Sequence, residues 1–532
     1  MKRLLLLFVA CSVGWAAGCS NSGSSSVVTP PPPTGFSNSN LSGTYVFSVT
    51  GTTLDNNSAT GVSSFSRVGV FTADGKGDIS ATGGLEDDYM FGSDNLFGII
   101  GGSYVISSDG RGVLYLETSG GTVQYNLSLV SSSTGYMVDM GTGTGVPPAT
   151  ISDTETANGS FQLQTATTLS PGTYVFDFSG TAPASGDVIS VIGDFVANGS
   201  SFSPGSYEDV NDNGTIISKA IISGGGYQTD TGDLGTGRGT ATIGTSNYVY
   251  YVIDSQHVQL METDLDLVVA GTNLGEAVAQ QAGTPNSLTA FNGSSFVFEM
   301  GGSDANLNPF TRAGRLTATG GSLGSILLDQ NDAGTSQSVP ASGVLSAGTV
   351  TLDGDNTGRG TFTFTDTVNH TGTYTFVFYL NSATQGVIQD ITTVNGVTVD
   401  VMDGTLLAQT GSPFSSSSLA TSYAIDWSGA DPSEEDFVGS FTPASTNPNG
   451  LLDYNEFSKL DLFTNVNFNG VFTFGGDGTA STGQHSVFVG GISGTPSVNL
   501  NYFAYIANPS TILVMGTGSN RVIAGVLTAQ TP

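Results

Sequence analysis

The feature that most constrains this chain is a fourfold internal repeat. An aromatic-led run opens at Tyr45, Tyr174, Phe296 and Tyr423 and closes on Gly51, Gly180, Gly302 and Gly429. A second element carries Gly69, Gly193, Gly314 and Gly439, each two residues before Phe71, Phe195, Leu316 or Phe441. A third is acidic, around Asp87, Asp209, Asp329 and Asp453. A fourth is a Gly-Arg-Gly turn at Arg111, Arg238 and Arg359, with Asp477-Gly478-Thr479 in its place in the last copy. Every copy closes on a Gly followed five positions later by Gln: Gly159 and Gln164, Gly275 and Gln280, Gly404 and Gln409, Gly525 and Gln530. The order is constant and the period is about 120–130 residues, the size of a small domain rather than of a solenoid unit. The expectation is a string of four similar domains, 41–164, 165–281, 282–409 and 410–532.

Within a copy the pattern is β throughout. Runs such as Tyr374-Thr-Phe376-Val-Phe378-Tyr alternate, which suits one buried face, and they are broken by Gly, Asn and Asp. No stretch has helical periodicity of useful length. About eight strands per copy predict an all-β fold of four tandem antiparallel domains, each a meander closed into a barrel or a two-sheet sandwich. The outline is similar to small lipocalin- or avidin-like barrels, a likeness of fold alone. Recurrent Gly residues read as strand ends and hairpin turns, and the leading aromatics as core.

The chain starts differently. Lys2 and Arg3 precede an apolar run from Leu4 to Val13, and small residues Ala16-Ala17-Gly18 lead to Cys19. This is a secretory signal, too short to span a bilayer. The Ala-Ala-Gly-Cys ending resembles the lipobox of bacterial lipoproteins, with Ala16 where the family usually has Leu. The resemblance implies cleavage before Cys19, a diacylglycerol thioether and acyl group (palmitate-type lipid) on Cys19, and, with Ser20 next, retention at the outer membrane. The two cysteines of the chain, Cys11 and Cys19, both lie in this segment, so the mature chain has no disulfide. A lone thiol in a secreted protein is unusual unless it is consumed by such a linkage. Residues 19–40, rich in Ser and Pro, read as a tether, flexible in its Ser/Gly part and stiffer across Pro30 to Pro33.

Charge narrows the function classes. Against 44 Asp and Glu stand 12 Lys and Arg, a net charge of −32 in 532 residues. The acids are spread over all four copies. Phosphate binding needs clustered cations, so nucleic acid is excluded as a partner.

The acidic turns are the best candidates for chemistry. Copy two reads Asp209-Val-Asn211-Asp212-Asn213-Gly214, copy three Asp329-Gln-Asn331-Asp332, copy four Asp453-Tyr-Asn455-Glu456, and copy one Glu86-Asp87-Asp88. Oxygen ligands at alternate positions before a Gly are how a loop wraps Ca²⁺. A full EF-hand is rejected, since Ala220 stands at the twelfth position. An irregular Ca²⁺ site and an Asx-rich hairpin both stay open. Arg111, Arg238 and Arg359 are expected to pair with carboxylates of their own copy and fix a turn, with a ligand-binding role as the alternative.

Nothing repeated suggests catalysis. His257, His370 and His485 fall at different points of different copies. Gly320-Gly-Ser322-Leu-Gly324 matches a nucleophile elbow, which needs a strand-to-helix turn that the pattern here does not offer. The expectation is a lipid-anchored envelope protein, not an enzyme, binding a glycan or another surface protein through tandem β domains. The alternative is a carrier holding a small apolar ligand inside each barrel, and behind it a cell-surface hydrolase.

Overall fold

Alternation builds the first strand of each repeat. In Ser42–Leu54 the residues Tyr45, Phe47 and Val49 face one core. Tyr174, Phe176 and Phe178 do so in Gly172–Thr181, Phe296, Phe298 and Met300 in Ser294–Ser303, and Tyr423, Ile425 and Trp427 in Tyr423–Ala430. Each of these strands pairs antiparallel with the second strand of its repeat and, on its other edge, with the last. The ladder continues strand to strand until the sheet meets itself, giving four closed barrels of eight strands, with short extra hairpin strands on the first three. The strands run from Ser42 to Leu163, Gly172 to Ala279, Ser294 to Ala408 and Tyr423 to Ala529. Of the two architectures the sequence allows, closure wins because it leaves no edge unpaired. The computed structural model describes residues 35–532 other than 56–60, 182–186, 231, 233–234, 265–271, 292, 340–347, 367–371, 395–396, 399, 432, 444–448, 458–460, 475–485, 493–497 and 519–520. The signal, Cys19 and most of the tether lie outside the described residues.

Two recurrent glycines are explained by close approach. A Cβ on Gly69, Gly193 or Gly314 would collide with the ring of Phe47, Phe176 or Phe298, which lies across the second strand. A Cβ on Gly159, Gly275, Gly404 or Gly525 would collide with the backbone carbonyl of Ser48, Asp177, Glu299 or Asp426 on the first strand. The barrels are narrow there, and only Gly lets the last strand close the ring.

Bulky side chains fill the interiors. Tyr45 stacks on Phe71 at 5.7 Å, Tyr174 on Phe195 at 5.4 Å, and Trp427 lies 4.6 Å from Tyr502. Short 3₁₀ turns stand before the first strands of barrels one, three and four, and Phe36, Phe291 and Phe414 beside them join the cores. Aromatic packing of this kind takes up interior space that an apolar ligand would need.

The barrels are not a string. The residues between the inward aromatics are also apolar, and they bury a second face. Val46, Val68 and Val70 of barrel one pack on Val249, Tyr251 and Met261 of barrel two. Val175 and Ile192 of barrel two meet Val377 and Tyr379 of barrel three. Val297, Ala313 and Leu327 of barrel three meet Tyr505, Leu513 and Met515 of barrel four. Val438 of barrel four then meets Val138 and Met140 of barrel one. In every case the early strands of one barrel face the late strands of the next, and the fourth contact returns to the first barrel. A head-to-tail contact that closes makes a ring, and residues 35–532 accordingly form one unit. Each fully buried Val or Ile in such a seam contributes about 1.5–3 kcal/mol over exposure. Short linkers between barrels keep the partners at high effective concentration.

Candidate binding site

The motifs singled out in the sequence meet at the four seams. Arg238 of barrel two donates from Nε and Nη2 to Asp87 of barrel one, at 2.8 and 2.6 Å, while Tyr251 donates its hydroxyl to the same carboxylate at 2.5 Å. Arg359 of barrel three repeats this on Asp209 of barrel two, at 2.7 Å from each nitrogen and 2.7 Å from Tyr379. Arg111 of barrel one approaches Asp453 of barrel four through Nη1 alone, at 3.2–3.3 Å, and Ser128 stands opposite it in the ladder where the others have Tyr. At the remaining seam Tyr505 donates to Asp329. Each Arg also binds an acid of its own barrel: Asp109, Asp230 or Asp353. The expected pairing within one copy is thus half of the arrangement; the other half clasps the neighbour.

The closing Gln residues are the second clasp. Gln164 donates Nε2 to the carbonyls of Thr236 and Val252, Gln280 to Thr357 and Leu380, Gln409 to Ile506, and Gln530 to Asp109 and Leu129. The Asn of each Asp-x-Asn is the third. Asn211 donates to the carbonyls of Asp390 and Asp400, Asn331 to Gly516 and Arg521, and Asn455 to Asp139 and Glu155. In barrel one Tyr89 takes this place and reaches the carbonyl of Asp264.

This arrangement gives the residues considered for Ca²⁺ other partners. Asp209 and Asn211, Asp329 and Asn331, and Asp453 and Asn455 are strand residues at three different seams, not loop ligands. Asp212, Asn213 and Asp332 sit at hairpin turns, and Glu456 is buried in barrel four. The Asp209 carboxylate is saturated: besides Arg359 and Tyr379 it accepts from the Ser218 hydroxyl at 2.8 Å and the Lys219 amide at 3.0 Å. Among the described residues no group of three or more His, Cys, Asp or Glu could hold a metal ion. Gly320 to Gly324 lies across a strand-to-strand turn and the start of the next strand, as the sequence pattern implies. His370 and His485 lie outside the described residues.

The same close packing leaves a space where the barrels meet. A cavity of about 740 Å³ takes lining from all four barrels, including Tyr136, Glu276, Glu299 and Asp426. A neighbouring one of about 380 Å³ shares Glu276 and Glu299 and adds Asp177. Among the described residues no Lys or Arg lines either. Three of these acids come from one repeat position, the residue after the leading pair, which is Ser48, Asp177, Glu299 and Asp426 in the four copies, while Glu276 follows the closing Gly275. That register was visible in the sequence, but nothing in the local pattern said that the position faces three other repeats.

Crowded carboxylates without a counter-charge hold protons. Burial, then Asp403 and Asp426, push Glu299 up to about 8. Burial pushes Asp426 up to about 7 against the pull of an Asn158 hydrogen bond at 2.6 Å. Burial and Asp403 raise Asp177 well above the usual range. Burial takes Asp403 to about 6. Glu276 differs: burial would raise it, but His257, 2.8 Å away, outweighs burial and holds it below the ordinary value.

Neither a protein-family model nor a curated protein matches the chain. Among solved structures, a mutant of transferrin-binding protein B from Haemophilus parasuis aligns over 71% of this chain and 77% of its own, at 11% identity and a TM-score of 0.20. CghA aligns over 68% and 89%, at 10% identity and 0.17, and CghA with Sch210972 over the same shares at 11% and 0.18. Scores this low leave the functional argument to the chain's own residues.

Proposed function

We propose that this chain is a lipid-anchored cell-envelope protein with a non-catalytic binding role, and that the cavity shared by the four barrels takes a hydrophilic organic cation. Cys19 holds the lipid, and residues 20–40 tether the ring to the outer membrane. The observation that carries the binding reading is the convergence of Glu276, Glu299 and Asp426 on one cavity, with Asp177 on its neighbour, and no lining cation among the described residues. A polyamine-sized ligand supplies the missing charge, displacing protons from Glu299 and Asp426 as it binds. The filled barrel interiors favour this shared space over four separate carrier sites.

Titration calorimetry of the full chain with spermidine at pH 7, in buffers of different ionisation enthalpy, tests the reading. Uptake with proton release is expected, and Glu299→Gln should weaken it at least about tenfold, the scale of one lost charge contact of about 1.4 kcal/mol. No uptake overturns the cavity reading, and a glycan array positive without any cation dependence would replace it. Mass spectrometry showing Cys19 unmodified overturns the anchor.

A further inference from the structure

Three of the four seams join barrels that are consecutive in the chain; the fourth, between barrels four and one, has no covalent connection and closes through noncovalent contacts, among them the Thr531 amide donating to the Val130 carbonyl at 2.8 Å. It is also the odd one chemically. Three residues before the second-strand Gly, the equivalent position is Ser66, Ser190 and Thr311 in the first three barrels and Asp436 in the fourth. Two residues earlier, Ser64 and Pro309 correspond to Glu434. Both acids face hydroxyls of barrel one. Thr156 donates to Asp436 Oδ2 at 2.8 Å, and Thr52 donates to Glu434. Asp436 is fully buried and its Oδ1 has no hydrogen-bond partner.

We infer that Glu434 and Asp436 form a proton-operated latch: the ring is closed between barrels four and one while these carboxyls are protonated, and that seam loosens when they ionise. Among the described residues the surroundings offer no compensating cation. On the neighbouring strand of barrel four stands Asp426, a further acid. Glu435 between them points the other way, to Arg521, which also holds Asp431. Across the seam, Asp139 and Glu155 are held by Arg67 inside barrel one, and Arg111 is taken by Asp109 and Asp453. Tyr136 is bonded to Thr528. Glu456, paired in the ladder with Glu435, is buried in barrel four.

The titration agrees with the geometry. Burial, then Glu434, raises Asp436 well above the carboxylate range, and burial takes Glu434 to about 7. In an open seam both return to ordinary values near 4. The closed form therefore binds more protons, and its advantage is full below about pH 4 and fades as pH rises through about 7.

The test is the distance between spin labels at Ser133→Cys and Thr442→Cys, on exposed positions of barrels one and four, in the full chain with Cys19 blocked. Between pH 5 and pH 8.5 the separated population should rise at least about tenfold, the consequence of one unit of differential protonation. Glu434→Gln with Asp436→Asn should abolish the rise. Asp436→Asn alone, if the double variant does not fold, should reduce it. An unchanged distance across the range, or variants that separate as the parent does, overturns the latch. Neither substituted residue lines the cavity, so spermidine uptake in the same variants reports separately on the binding reading.

Discussion

The seam between barrels two and three and the seam between barrels four and one use the same motif with opposite electrostatic outcomes. At the first, Asp209 receives both arms of the Arg359 fork, Tyr379 and Ser218. Burial alone would raise its pKa, but those donors outweigh burial and hold it below the ordinary value. At the second, Asp453 receives one nitrogen of Arg111 at longer range and the Asn465 amide at 2.6 Å, with Ser128 where Tyr379 would stand. There burial wins over Arg111, and the pKa is raised. Burial is similar in the two places; the number and charge of donors decide the sign. A repeated motif is therefore not a repeated energy.

The largest expected effect is from Arg359→Ala. It strands a buried, ionised Asp209, and removing one partner of such a pair typically destabilises by about 3–5 kcal/mol. Calorimetric melting should show a drop of several degrees, larger than for Arg111→Ala, because Asp453 already tends toward its neutral form. Equal losses would break the contrast. Arg359→Lys should recover only part of the loss, since a point charge cannot reproduce the fork.

Tyr379→Phe comes next, at about 1.5–3 kcal/mol for a hydrogen bond to a charged group. The reciprocal change Ser128→Tyr would sharpen the comparison if it stabilised the fourth seam. A smaller effect, about 1–3 kcal/mol, is expected for Gln280→Ala, which leaves the carbonyls of Thr357 and Leu380 without that donor.

The pH dependence should differ in sign. The depressed pKa of Asp209 contributes stability that is present above its unfolded value near 3.9 and is lost as pH falls through the lower folded value. The raised pKa of Asp453 works the other way: its contribution is full below the unfolded value and is lost as pH rises through the folded one. Urea titrations of Asp209→Asn and Asp453→Asn beside the parent, from pH 2.5 to 7, should show stability differences that diverge in opposite directions. Parallel profiles would show that the donors around Asp209 do not control its ionisation.

Strands and inner faces were legible because each depends on residues a few positions apart. Tyr45 and Phe47 announce a buried face by period-two alternation whatever lies beyond the strand. Val46 carries no such label, since Val suits a strand on either side. The partners of the Asp-x-Asn pairs were not legible for a related reason. Oxygens two apart look the same whether they wrap an ion, cap a turn or face a neighbouring barrel, and Asn455 bonds residues 300 and 316 positions away. The closing Gln residues were visible as repetition, but their acceptors are backbone carbonyls, which leave no mark on a sequence.

By itself, then, the amino-acid order determined an all-β chain of four alike units, because hydrophobic period, glycine placement and repetition are local properties. Only the tertiary structure decided that the units close head to tail, that Arg, Asn and Gln serve as clasps, and that Glu276, Glu299 and Asp426 share one cavity. Those outcomes depend on how an outer barrel face fits its neighbour, a matter of shape and charge summed over residues more than a hundred positions apart.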